Sequence, residues 1–64
     1  MKDISSLENQ AINNAMNGQW NDAIKFNEAI VKIDKKNIEA YLRLGFAYLQ
    51  INKIKKARQF YSQA

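Results

Sequence analysis

Apolar residues recur along this chain at the three- and four-residue spacing of amphipathic helices, in four segments separated by polar breaks. Ser5-Ser6-Leu7-Glu8 has the form of a capping box, with Ser5 as N-cap and Glu8 reaching back, so a first helix starts there and runs to about Met16. Asn17-Gly18 stops it, because glycine takes the left-handed conformation at little cost. From Trp20, the residues Ala23, Ile24, Ile30 and Ile33 continue the stripe, widened by Phe26 and Val31, and Glu28 precedes Lys32 by one turn in the favoured ion-pair order. Asp34-Lys35-Lys36-Asn37 interrupts, and Asn37 is placed to cap a third helix carrying Tyr41, Leu44, Gly45, Tyr48 and Leu49. Asn52 sits where a left-handed residue ends it, and a fourth helix begins near Ile54. The pattern predicts four antiparallel helices near 5–16, 20–34, 38–51 and 54–64, an all-α fold.

The segments are not independent. Shifted against itself by 34 residues, the chain sets Gly18 on Asn52, Trp20 on Ile54, Ala23 on Ala57 and Phe26 on Phe60. Leu7 falls on Tyr41 and Ala11 on Gly45. A turn, a small residue and a large anchor recur at one spacing, so the chain holds two helix–turn–helix units.

Tyr41-x-x-Leu44-Gly45-x-x-Tyr48, followed by Ala57, Tyr61 and Ala64, resembles the tetratricopeptide repeat, whose signature has a 34-residue period and the order W-x₂-L-G-x₂-Y. The second unit fits at every signature place it covers, with Tyr for Trp. The first keeps Leu7, Ala11 and Ala23 but has Gln10 for the usual leucine and Asn14 for the usual tyrosine. It also has Asn27 in the aromatic place, Ile30 in a small one and Lys35 in that of the proline. The resemblance covers nearly the whole chain and implies a helix–turn–helix solenoid. Residues 1–64 would form one domain, with repeats over about 4–37 and 38–64 and the second incomplete. The expected core is Leu7, Ala11, Trp20, Ala23, Ile24, Ile30, Tyr41, Leu44, Gly45, Tyr48, Ala57, Phe60 and Tyr61.

The resemblance further implies protein–protein recognition on a concave groove lined by the first helix of each unit. The matching residues are Ser5, Glu8, Asn9, Ile12 and Met16, then Glu39, Leu42, Arg43, Phe46 and Gln50. Some members hold a terminal carboxylate with a Lys and Asn clamp. Here the matching places hold Glu8, Ile12 and Arg43, so that clamp is absent, and Arg43 serves either a ligand carboxylate or a pair with Glu39. Ile12, Leu42 and Phe46 are larger and more apolar than a merely exposed surface requires, which favours a helix or extended peptide anchored by apolar residues.

Composition narrows the chemistry. Sixty-four residues make one small domain, and His, Cys, Pro and Thr are absent, which removes disulfides, thiolate and imidazole catalysis and zinc sites built on those ligands. The six carboxylates are scattered, the serines have no base near them in sequence, and the two glycines are isolated, so neither an enzyme nor a cofactor is expected. The longest apolar run, Phe46 to Leu49, is four residues, too short for a signal peptide core or a membrane span, and the expected setting is cytoplasmic.

Charge adds two competing readings. Residues 1–31 sum to −2 and residues 32–64 to +6 within the net +4. Lys53, Lys55, Lys56 and Arg58, with Phe60 and Tyr61 behind them, have the composition of a nucleic-acid contact, although Tyr61 belongs to the packing face in the repeat register. Against that polarity, Asn9, Gln10, Asn13, Asn14 and Asn17 give the first helix the wet face that suits an N-terminal end. The second unit stops about seven residues short of its period with no capping helix. The expectation is a piece of a longer repeat protein, or a homo-oligomer joined through its open second unit.

Overall fold

A computed structural model describes residues 4–64; residues 1–3, part of the domain expected over 1–64, lie outside the described residues. The described residues form four helices and no strands: α1 Ile4–Met16, α2 Trp20–Ile33, α3 Ile38–Gln50 and α4 Ile54–Gln63. Each helix packs on its neighbour in sequence, α1 on α2, α2 on α3 and α3 on α4. The connections of three or four residues leave room only for chain reversal. This is the expected helical repeat architecture.

The two intra-unit turns match bond for bond at the 34-residue shift. Gln19 N–H donates to the Asn14 carbonyl at 2.8 Å and Gly18 N–H to that of Ala15 at 3.1 Å. Lys53 N–H donates to Tyr48 at 2.8 Å and Asn52 N–H to Leu49 at 3.0 Å. This doubled closure is the Schellman arrangement, and it requires a left-handed residue in the middle. Gly18 (φ 71°) and Asn52 (φ 65°) supply it. Between the units, Asn37 caps α3 as its position predicts, its Oδ1 accepting from Ala40 N–H at 3.0 Å. Asp34 Oδ1 accepts from Lys36 N–H at 3.2 Å, folding the linker back on itself.

Small residues set the helix spacing. Ala11, Ala23, Ala40, Ala47 and Ala57 are buried, with Ile24, Ile30, Leu44 and Tyr48 filling the space between them. Tyr48 and Phe60 stack at 5.4 Å between centroids and 2° between planes, and Tyr41 joins Phe60 at 6.3 Å. Leu7, Trp20, Tyr41 and Phe60, expected in the core, are half-buried at its edge.

Three expectations are corrected, and one residue joins the core. Ser5 is not an N-cap, because α1 already includes Ile4 and Ser5 is helical. Glu28 accepts a bond from the Tyr48 hydroxyl at 3.3 Å, whereas among the described residues no ion pair joins it to Lys32. Tyr61 is 38% exposed rather than in the core, since α3 covers only one side of it. Asn27, in the aromatic place of the first unit, is buried instead, at 1% exposure.

Candidate functional site

Asn27 is buried without penalty because both ends of its amide are bonded. Its Nδ2 donates to the carbonyl of Ala23 one turn back at 3.0 Å, which turns Oδ1 outward from α2 toward α3. There it accepts from Arg43 Nε at 3.0 Å. The far edge of the guanidinium, Nη2, meets Glu8 Oε2 on α1 at 3.4 Å. One polar chain thus ties three helices, and it fixes Arg43, an otherwise flexible side chain, in one place. Arg43 pairs with Glu8, not with Glu39 on its own helix.

Beside this chain lies an open pocket of about 330 Å³. Ala15, Ala23 and Ala47, one from each of α1, α2 and α3, line it with small side chains and leave its volume empty. Trp20 and Phe46 meet edge to face at 5.6 Å and 69° along its wall. Leu42 and Tyr61 complete the apolar lining, and Asn27 and Arg43 are its polar members. The pocket therefore offers a large apolar surface with one oriented cation at its margin, the make-up of a site for an apolar anchor next to an acceptor group.

Of the residues the sequence singled out, Leu42, Arg43 and Phe46 come together here, and Glu8 reaches the site through Arg43. Asn9, Ile12, Met16, Glu39 and Gln50 are exposed on α1 and α3 but do not line the pocket, and Ser5 is exposed near the start of α1. Phe46 is half exposed despite its contact with Trp20, and Leu42 is 44% exposed. The sequence did not single out Trp20, Asn27 or Tyr61 as site residues. The 34-residue shift carried a usable signal, since it sets Asn27 on Tyr61 and both line the pocket.

Elsewhere the chemistry is sparse. Among the described residues no group of three or more acidic, His or Cys side chains could hold a metal ion, and no helix is long and apolar enough to cross a membrane. Burial pushes the Tyr48 hydroxyl above the usual tyrosine range, with the charge of Glu28 and its hydrogen bond adding to the effect.

The comparisons with known proteins bear on the whole arrangement. A family model described as Tetratricopeptide repeat matches residues 15–64, which takes in the end of α1 and all of α2, α3 and α4. Searches of curated proteins and of solved structures gave no match.

Proposed function

The chain belongs to the tetratricopeptide repeat family, whose members are in general non-catalytic protein–protein interaction modules, and on that premise we propose that its pocket receives a segment of a partner protein. In this reading residues 1–64 are one unit, with repeats over 4–37 and 38–64, and the α1/α3 side is its binding face. The ligand is a peptide or helix with an apolar residue that enters between Leu42, Trp20 and Phe46. Glu8, Asn9, Ile12, Met16, Glu39 and Gln50 flank it along the two helices.

The observation that carries this reading is the Trp20–Phe46 pair beside an unfilled, alanine-lined pocket. A monomeric protein gains little from holding the Phe46 ring half in water against Trp20 over empty space, whereas a partner side chain laid there is desolvated on several sides. Arg43, held by Asn27, adds direction: a ligand carboxylate next to the apolar anchor competes with Glu8 for the guanidinium.

The test is selection from a random-peptide library, followed by titration of the selected peptides against Trp20 fluorescence. Selected peptides are expected to share an apolar anchor, and Phe46→Ala and Leu42→Ala each to weaken them by about tenfold, or about 1.4 kcal/mol. Peptides indifferent to both substitutions would sink the pocket as the binding site.

A further inference from the structure

The aromatic rings of this chain are used in two ways. Tyr41 and Tyr48 stack on Phe60 inside the fold. Trp20, Phe46 and Tyr61 instead line the open pocket, one from each of α2, α3 and α4. Trp20 and Phe46 meet edge to face, which engages the face of one ring and only an edge of the other. Tyr61 pairs with no ring among the described residues. Its ring is seated on Gly45, where a Cβ would stand 2.9 Å from it, so α3 fixes its place in the pocket wall. Every lining residue except Tyr61 comes from α1, α2 or α3, so the pocket lies between the two units and not at the end of the row.

A wall of aromatic rings discriminates between anchors of equal size. A ring entering beside these three takes offset or edge-to-face contacts in addition to burying its area, whereas a saturated side chain gains the burial alone. The polar margin of the pocket has one sign. Arg43 commits Nε to Asn27 and Nη2 to Glu8, the second at 3.4 Å, while its Nη1 bonds nothing among the described residues. Residues 32–64 around it sum to +6, eight basic side chains against Asp34 and Glu39. An acidic segment complements both that field and the open guanidinium nitrogen. We infer that the pocket takes an aromatic side chain from an acidic segment of a partner protein, with a neighbouring carboxylate on Arg43. The inference rests on the peptide-binding reading above and narrows it to one ligand chemistry.

A second copy of this chain is a poor occupant. The aromatic residues it exposes are Phe46 and Tyr61, which are the pocket wall itself, and the others are buried or half-buried in its own fold. Two pockets placed mouth to mouth would also set Arg43 against Arg43, a like-charge contact.

The probes are seven-residue peptides of one sequence, with glutamate on both sides of a central phenylalanine, cyclohexylalanine or leucine. Each is titrated into the full chain and followed by the amide chemical shifts of the chain. The phenylalanine peptide is expected to bind about fivefold more tightly than the cyclohexylalanine one, which matches its shape without the aromatic electrons. It should move the amides of Ala15, Ala23 and Ala47 on the pocket lining. Replacing both glutamates by glutamine should weaken binding by about threefold and remove its dependence on salt. Tyr61→Leu, at a partly exposed place, should reduce the preference for phenylalanine and leave the cyclohexylalanine peptide little changed. Equal or tighter binding of the cyclohexylalanine peptide would overturn the aromatic assignment and leave the pocket a general apolar site. Indifference to the glutamines would overturn the acidic one. Shifts confined to residues away from the alanine lining, or none with any peptide, would overturn the peptide-binding reading as well. A dimer, seen by light scattering, that Phe46→Asp dissolves would make a second copy the occupant and overturn the inference too.

Discussion

Arg43 Nε donates to Asn27 Oδ1 at 3.0 Å across the α2–α3 interface, and that bond makes a polar residue the hinge pin between the two units. The amide of Asn27 is used at both ends, and Arg43 is directed toward Glu8 by it. Structure and candidate site therefore meet in one side chain.

Asn27→Leu keeps the volume of the side chain and deletes both bonds. Arg43 then keeps only the Glu8 pair, which is partly exposed and weak on its own. A loss of about 1–3 kcal/mol in urea-induced unfolding is expected, because a charged donor is stranded at a partly buried place. A variant as stable as the parent would show that the polar chain contributes nothing.

Gly45 and Tyr61 are coupled by shape. A Cβ on Gly45 would stand 2.9 Å from the Tyr61 ring. Gly45→Ala gains about 1 kcal/mol of helix propensity but must displace that ring, at about 1–3 kcal/mol. A net loss of about 1 kcal/mol is expected in the parent. In a Tyr61→Ala background the same change should stabilise, and the reversal of sign in a double-mutant cycle is the measurement.

Asn14 occupies in the first unit the place of Tyr48 in the second. Its Nδ2 donates to Gln19 Oε1 at 3.0 Å, but its Oδ1 is buried with no hydrogen bond. Asn14→Leu removes the unsatisfied acceptor and adds apolar contact, so thermal unfolding should shift upward by an amount worth about 1 kcal/mol. A lower midpoint would mean that the Gln19 bond outweighs the stranded oxygen.

Tyr48 gives the fold an alkaline limit. Its proton is held more tightly folded than unfolded, through burial first and then the charge and hydrogen bond of Glu28. A raised folded pKa contributes stability that is complete below about pH 10, the unfolded value, and is lost as pH rises through the folded one. Ultraviolet titration should show a late tyrosine ionisation that Tyr48→Phe removes. A titration curve that keeps its late step in Tyr48→Phe would refute it.

Much of this was legible in the residues. Gly18 and Asn52 marked both turns, and Asn37 marked the α3 cap, because backbone conformation and capping are local properties. Periodicity placed Ala11, Ala23, Leu44 and Ala57 inside for the same reason. The burial of Asn27 was not legible: an asparagine among apolar neighbours looks like a solvent residue until Arg43, sixteen positions away, is seen to bond it. The Arg43–Glu8 pair was hidden likewise, because a helical spacing rule sees Glu39 one turn away and not Glu8 across the interface. Ala40 and Ala47 escaped notice as core because alanine carries little periodic signal.

Each helix packs chiefly on the one before it and the one after it in the chain. That pattern makes the molecule a short zipper with respect to motion and folding. Its contacts are local, so folding is fast, and opening begins where a helix has a single neighbour. Among the described helices, the amides of α1 and α4, each packed on one neighbour, should exchange with solvent before those of α2 and α3, so that the row opens from its outer members inward.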